Sequence, residues 1–179
     1  MLDKRQIAGL IQRAPWLWQF GQMVYRVWQP WVTIGAVGAV MNAQGQLLIV
    51  EHVFHPKLPW GLPGGWMGRN EEPQETVTRE ILEETALRVE IIKPLLITQA
   101  PSLKRHLDVA YLCRLPLDSP DNAIHLSGEL LDYQWCDPKN LPPMAIFHRR
   151  VVKAAIDEYA AIGAQKTSVL SNENGRRNP

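Results

Sequence analysis

The stretch that decides the fold is GWMGRNEEPQETVTREILEETAL, residues 65–87. From Pro73 onward it predicts a helix, because a proline is well tolerated in the first turn. In that helix Glu80, Glu83 and Glu84 stand at i, i+3 and i+4 and project from one face. Like charges at this spacing cost stability, so we expect a group outside the helix to compensate for them.

Three converging carboxylates indicate a site for a hard divalent cation, because Mg²⁺, Mn²⁺ and Ca²⁺ prefer oxygen ligands. Arg79 stands four residues before Glu83 and is placed to pair with it and steer that carboxylate. The alternative is a surface helix whose glutamates face solvent. The Pro63-Gly64-Gly65 loop in front of the helix favours a site, since glycine lets the backbone approach a ligand closely.

The spacing of these residues resembles the Nudix box, the signature of the Nudix hydrolase family. The matching positions read Gly65-x5-Glu71-x7-Arg79-Glu80-Ile81-x-Glu83-Glu84-x-Ala86-Leu87. Ala86 departs from the pattern, because the family has glycine at that position. If the position requires a positive φ, alanine costs about 1 kcal/mol there.

The order of the elements predicts a mixed α/β domain, and the resemblance implies the Nudix α/β/α sandwich with a mixed sheet. We expect strands over 32–40, 47–50, 89–99, 107–115 and 131–136, a turn at 42–45 and an irregular loop at 60–66. We expect helices over 73–87 and from about Pro143 to Ile162, with Gly163 as the stop.

The sequence divides into three regions: an aromatic, basic helical extension at 1–30, the Nudix domain at 31–162, and a disordered tail at 163–179. In the extension, apolar residues recur at helical spacing from Ile7 to Trp18, with Pro15 breaking or restarting the helix. Two roles fit this segment. It packs on its own domain or on a second subunit in a homodimer, or it lies on a membrane surface.

Composition excludes other classes of protein. The 179 residues are 46% hydrophobic and 21% charged, enough to bury a core, and a net charge of +1 predicts no specific nucleic-acid binding. Cys113 and Cys136 fit no metal-ligand spacing, and we expect reduced thiols in a cytoplasmic protein. The uncharged run between Arg13 and Arg26 is shorter than the roughly 20 residues that span a bilayer, so we expect a soluble protein.

Members of the Nudix family hydrolyse a diphosphate linked to another moiety with Mg²⁺ or Mn²⁺, and the resemblance implies the same chemistry here. It implies four metal ligands: Glu80, Glu84, Glu83 (directly or through water) and the backbone carbonyl of Gly64. It also implies that Arg79 orients Glu83 and that Glu71 ties the loop to the helix.

The general base and the substrate contacts are less constrained by the sequence. The base is either a glutamate of the box or Glu129, which follows a Ser-Gly pair, with Asp132 as its competitor. The candidate substrate contacts are Trp66, which is placed to stack on a base, Arg69 in the loop, and the Arg105-His106 pair beside a strand. Each also has an ordinary structural reading as a packing or solvated residue.

Three functions follow from these residues. The first is a Mg²⁺-dependent pyrophosphohydrolase of an NTP, ADP-ribose or a nucleotide sugar. The second is a non-catalytic Nudix domain that binds a ligand. The third is a membrane-surface hydrolase of a lipid-linked or isoprenoid diphosphate. The complete set of box glutamates favours a hydrolase.

Overall fold

The computed structural model describes residues 3, 13, 15–29, 31–100, 103–116 and 124–175. The chain divides into two compact units, Met1–Val32 and Thr33–Pro179. The first unit contains helix α1, Pro15–Trp28, in which Pro15 occupies the first position. Of the turns expected from Ile7 to Ala14, only Arg13 lies within the described residues, and it is helical. No helix of the described ranges is long and apolar enough to cross a membrane.

The described residues of the second unit form a seven-stranded sheet and two helices. The strands are β1 Thr33–Met41, β2 Leu47–His52, β3 Trp60–Gly61, β4 Gly64–Trp66, β5 Glu90–Gln99, β6 His106–Arg114 and β7 Leu130–Cys136. The helices are α2 Pro73–Thr85 and α3 Ile146–Gly175.

Strand β1 is the centre of a mixed sheet. The strands lie in the order β3-β2-β1-β6-β5, with β4 paired to β1 and β7 paired to β2. The β1·β6 pair is parallel, and the other pairs are antiparallel. Along one side β1 changes partner: Met41 pairs with β2, whereas residues 35–37 pair with β4. The segment 60–66 connects the two, because its strand β3 pairs with β2 and its strand β4 pairs with β1.

Each face of the sheet has its own hydrophobic core. On β2, Leu48 and Val50 face one cluster while Leu47 and Ile49 face the other, as strand alternation requires. Helix α2 covers the first cluster with residues such as Ile81, and α3 covers the second with residues such as Val151. The predicted α/β/α sandwich is confirmed.

Two local predictions were wrong. The segment 60–66 is not an irregular loop, because it contains β3 and β4. At Gly64 a Cβ would lie 2.7 Å from Val37 Cα, so only glycine allows β4 to approach β1 this closely. The last helix does not stop at Ile162 but continues to Gly175, because a glycine inside a helix costs only about 1 kcal/mol relative to alanine.

The residue after α2 has the conformation that glycine favours. Ala86 has a φ of 61° and a ψ of 7°, and its N–H donates to Leu82 O at 2.9 Å. The helix therefore ends in a left-handed residue, which alanine adopts at a cost of about 1 kcal/mol.

Candidate active site

Glu71 fixes the start of α2, the helix that carries the Nudix-box glutamates and is called the box helix below. Its carboxylate accepts hydrogen bonds from Gly68 N at 2.7 Å, from Thr76 Oγ1 at 2.9 Å and from Arg79 Nε at 2.7 Å. The bonds from Arg79 and then from Gly68 lower the pKa of Glu71 to about 2, so this carboxyl remains ionised. The prediction that Glu71 ties the loop to the helix is confirmed.

Arg79 connects the carboxylates of the box. Besides Glu71, its Nη1 donates to Glu80 Oε1 at 2.9 Å and to Glu83 Oε2 at 3.0 Å. The hydrogen bond to Glu71 is the main cause that raises the pKa of Arg79 above its usual value, and the bonds to Glu80 and Glu83 add to it. The predicted contact between Arg79 and Glu83 is present, and the same guanidinium also positions Glu80.

Glu84 is a buried carboxyl among other carboxyls. It is only 5% exposed, and its Oε2 accepts a hydrogen bond from Gly64 N at 2.9 Å. Burial raises its pKa to about 7; the bond from Gly64 opposes that shift, and the charges of Glu80, Glu129 and Glu83 add to it. The arrangement therefore disfavours a full negative charge at Glu84 unless a positive charge comes close.

Glu80 lies against the backbone of β4. A Cβ on Gly65 would lie 2.5 Å from Glu80 Oε1 and 2.6 Å from Oε2, closer than such atoms can approach. The glycine pair therefore has two separate functions. Gly64 holds Glu84 through its N–H, and Gly65 leaves the space that the carboxyl of Glu80 occupies.

A cavity of about 600 Å³ joins these groups to three other parts of the domain. Its acidic wall consists of Glu80, Glu83, Glu84 and Glu129. A second wall consists of Trp66, Leu103, His106 and Asp108. A third, the histidine wall, consists of His52, Phe54, His55, Phe147 and His148. Strand β1 and residues of 62–65 form the floor. No lysine or arginine is among the described residues that line it.

The structure brings most of the predicted site residues together, but not all. Glu129 lies in the acidic wall, whereas its competitor Asp132 does not line the cavity. Trp66 packs on His106, with ring centroids 4.7 Å apart, and both line the cavity. Arg69 and Arg105 are not among the described lining residues, so their predicted contacts with substrate find no support here.

The second wall is ordered by a chain of hydrogen bonds. His106 is buried, and its ring nitrogens lie 2.8 Å from Thr33 Oγ1 and 3.1 Å from Asp108 Oδ1. Its ring therefore has a fixed orientation beneath the exposed indole of Trp66. The prediction that Trp66 stacks on a base stays a prediction, but the indole has a rigid support.

His148 is a site residue that the sequence did not indicate. Its Nδ1 accepts a hydrogen bond at 3.2 Å from Leu62 N, which lies 86 positions away in the chain. Burial, and then the neighbouring His52 and His55, lower its pKa to about 4, so it is neutral near pH 7. The local sequence around His148 could not reveal its contact with Leu62, because the two residues are so far apart in the chain.

The predicted metal ligands are not arranged as a ready-made metal site. Across the described part of the chain, no three His, Cys, Asp or Glu residues are placed to hold a metal ion. Two of the predicted ligands, Glu80 and Glu83, are held by Arg79 instead, because its guanidinium donates hydrogen bonds to their carboxylate oxygens. The donor chemistry still fits a hard cation, since four carboxyls share one wall that holds no described lysine or arginine.

The fold and this constellation of carboxyls define a NUDIX domain. The model of the NUDIX domain family matches residues 31–155, and the chain belongs to that family. The predicted resemblance is confirmed.

Relatives and solved structures agree with this membership. A Xenopus laevis protein named nucleoside diphosphate-linked moiety X motif 6 is 33% identical over 60% of this chain. The matched region covers 51% of the length of that relative. A putative 8-oxo-dGTP diphosphatase of Bacillus subtilis is 28% identical over 80% of this chain and 89% of its own length. The NUDIX domain of Shewanella oneidensis NrtR, crystallised with ADP ribose, has the same fold (TM-score 0.60, 21% identity, 73% of this chain and 90% of that one).

Proposed function

We propose that this protein is a pyrophosphohydrolase that cleaves the diphosphate of a nucleoside diphosphate linked to another moiety. The substrate class is an NTP, ADP-ribose or a nucleotide sugar, and the cofactor is Mg²⁺ or Mn²⁺. The observation that carries the proposal is Glu84, which is buried at the edge of a cavity beside Glu80, Glu83 and Glu129. Such a group of carboxyls is stabilised by a divalent cation and a diphosphate placed among them.

Glu80 and Glu84 would be the principal metal ligands, with Glu83 and the carbonyl of Gly64 completing the set. A cation bound there supplies charge neutralisation at the phosphate oxygens and lowers the pKa of the attacking water. Arg79 holds Glu80 and Glu83 in position through its hydrogen bonds.

Glu129 would accept the proton of the attacking water, since it faces the same cavity from a different element than the box. A glutamate of the box is the alternative base. The Glu129→Gln variant distinguishes them: a large loss of kcat with KM retained identifies Glu129, and an unchanged kcat identifies a glutamate of the box.

The relatives support the class of substrate. Both 8-oxo-dGTP, in the name of the Bacillus relative, and ADP ribose, in the Shewanella complex, are nucleoside phosphates with a diphosphate linkage. The two free and buried cysteines support a reducing compartment, and we place the enzyme in the cytoplasm.

The second candidate is a NUDIX domain that binds such a ligand without cleaving it. One observation favours it: Arg79 bonds to Glu80 and Glu83, and the described residues form no metal-ready cluster. In that case the guanidinium would keep its carboxylate partners when the ligand binds.

Phosphate release across a panel of substrates with Mg²⁺ present separates the candidates. The panel contains NTPs, ADP-ribose, nucleotide sugars and an isoprenoid diphosphate, and we expect one compound to be strongly preferred. Glu80→Gln should lower its turnover about a thousandfold, because one charged metal ligand is lost. Glu75→Gln on the same helix is the matched control, since glutamine can still accept the bond from Glu72 N. No turnover of any compound, with a ligand that still raises the melting temperature, would support the binding module instead.

A further inference from the structure

Helix α1 carries large apolar side chains that are exposed to solvent. Each of the following is at least 40% exposed: Trp16, Trp18, Phe20, Met23, Val24, Tyr25, Val27 and Trp28. Trp28 and the nearby Trp31 reach 85% and 82%. A soluble domain rarely leaves so many adjacent aromatic residues in water, so this surface indicates a partner.

The apolar residues are not distributed at random around α1. Gln19, Gln22 and Arg26 stand at i, i+3 and i+7 and form one narrow polar stripe. The opposite face carries four apolar residues at i, i+4, i+7 and i+8: Phe20, Val24, Val27 and Trp28.

The borders between these two faces carry amphipathic aromatic rings. Trp18 and Tyr25 lie along one border, and Trp16 lies along the other. Indole and phenol rings prefer the boundary between water and hydrocarbon, because they have an apolar body and a polar group.

The charge around α1 has one sign. Between Asp3 and Glu51 the sequence contains no acidic residue, whereas Lys4, Arg5 and Arg13 precede the helix and Arg26 lies on its polar stripe. Arg26 also borders a shallow groove of about 610 Å³ that is otherwise lined by Met23, Val27, Gln29 and Trp31. A guanidinium beside apolar side chains suits a phosphate headgroup above acyl chains.

We propose that α1 is an interfacial helix that binds this protein to an anionic lipid bilayer, with Phe20, Val24, Val27 and Trp28 in the acyl region. The unopposed positive charge decides between this partner and a second copy of the chain. Two copies of a basic segment without acidic residues repel each other, whereas anionic headgroups attract it. The proposal is independent of the activity of the NUDIX domain.

Sedimentation of the full chain with vesicles tests it. We expect pelleting with vesicles of phosphatidylcholine and phosphatidylglycerol, weaker pelleting with phosphatidylcholine alone, and release by salt. Phe20→Gln should lower the partition coefficient about tenfold through lost apolar burial. Arg26→Gln should lower it about fivefold on the anionic vesicles and not on the neutral ones.

Controls keep the result interpretable. Ile97→Gln removes another exposed apolar side chain, but from β5, and should leave pelleting unchanged. Val27→Gln repeats the test of Phe20→Gln at a second position of the apolar face. The proposal is overturned if the unaltered protein stays in the supernatant with anionic vesicles, or if Phe20→Gln and Val27→Gln both leave pelleting intact. A lipid-free dimer in light scattering that Phe20→Gln disperses, without pelleting, would assign the face to a second copy.

Discussion

The acidic wall and the histidine wall line the same cavity but are built in opposite ways. Three of the four acidic residues come from two turns of one helix, and the guanidinium of Arg79 holds two of them. The histidine wall is assembled from the end of β2 and the start of α3, far apart in the chain. The three helical carboxylates of the acidic wall are specified by local sequence, whereas the histidine wall exists only once the sheet and α3 are in place.

A large effect is expected where the acidic wall touches the backbone. Gly65→Ala places a methyl group 2.5 Å from Glu80 Oε1 and should push that carboxyl out of position. A displacement of about 1 Å at a catalytic group lowers turnover about a hundredfold. The measurement is kcat with a substrate found in the panel. Gly128→Ala is the control, because its Cβ would meet nothing within 4 Å. Full activity of Gly65→Ala would show that the acidic wall tolerates movement.

The histidine wall should set how the fold responds to acid. His148 has a pKa of about 4 when folded and 6.5 as its ordinary value, so between these values the unfolded chain binds the additional proton. The contribution of neutral His148 to the free energy of unfolding is present in full above pH 6.5 and is lost as the pH falls towards 4, at a total cost of about 3 kcal/mol.

Urea unfolding across that pH range measures the effect. His148→Asn should flatten the profile, because its amide oxygen still accepts the bond from Leu62 N but does not titrate. The exposed His125→Asn should leave the profile unchanged. A profile that His148→Asn does not alter would place the acid sensitivity elsewhere.

The smallest effect is expected at the end of the box helix. Ala86→Gly should raise the free energy of unfolding by about 1 kcal/mol, because glycine adopts a φ of 61° without strain. Turnover should stay the same, since Ala86 does not line the cavity. Ala161→Gly inside α3 is the opposite control and should cost about 1 kcal/mol. Reduced activity in Ala86→Gly would mean that this cap also positions the glutamates.

The contrast between contacts within one segment and contacts between distant segments explains which features could be predicted from the sequence. Arg79 and Glu83 are four residues apart on one helix, so their spacing alone predicted their contact, whereas the role of Glu71 was implied by the family resemblance. Glu129 was found as a carboxylate before a strand, and its place beside Glu84 depends on the β2·β7 pairing. His148 and the pairing of residues 64–66 with β1 depend on contacts between distant segments, which periodicity does not encode.

The segment Leu62-Pro63-Gly64 joins the two walls through three consecutive residues. Leu62 N donates to His148 on α3, Pro63 O accepts from Gly38 N on β1, and Gly64 N donates to Glu84 on α2. We therefore expect the two walls to be thermodynamically linked. A ligand that requires this backbone conformation at Glu84 should lower the pKa of His148, and protonation of His148 should weaken that ligand by the same factor.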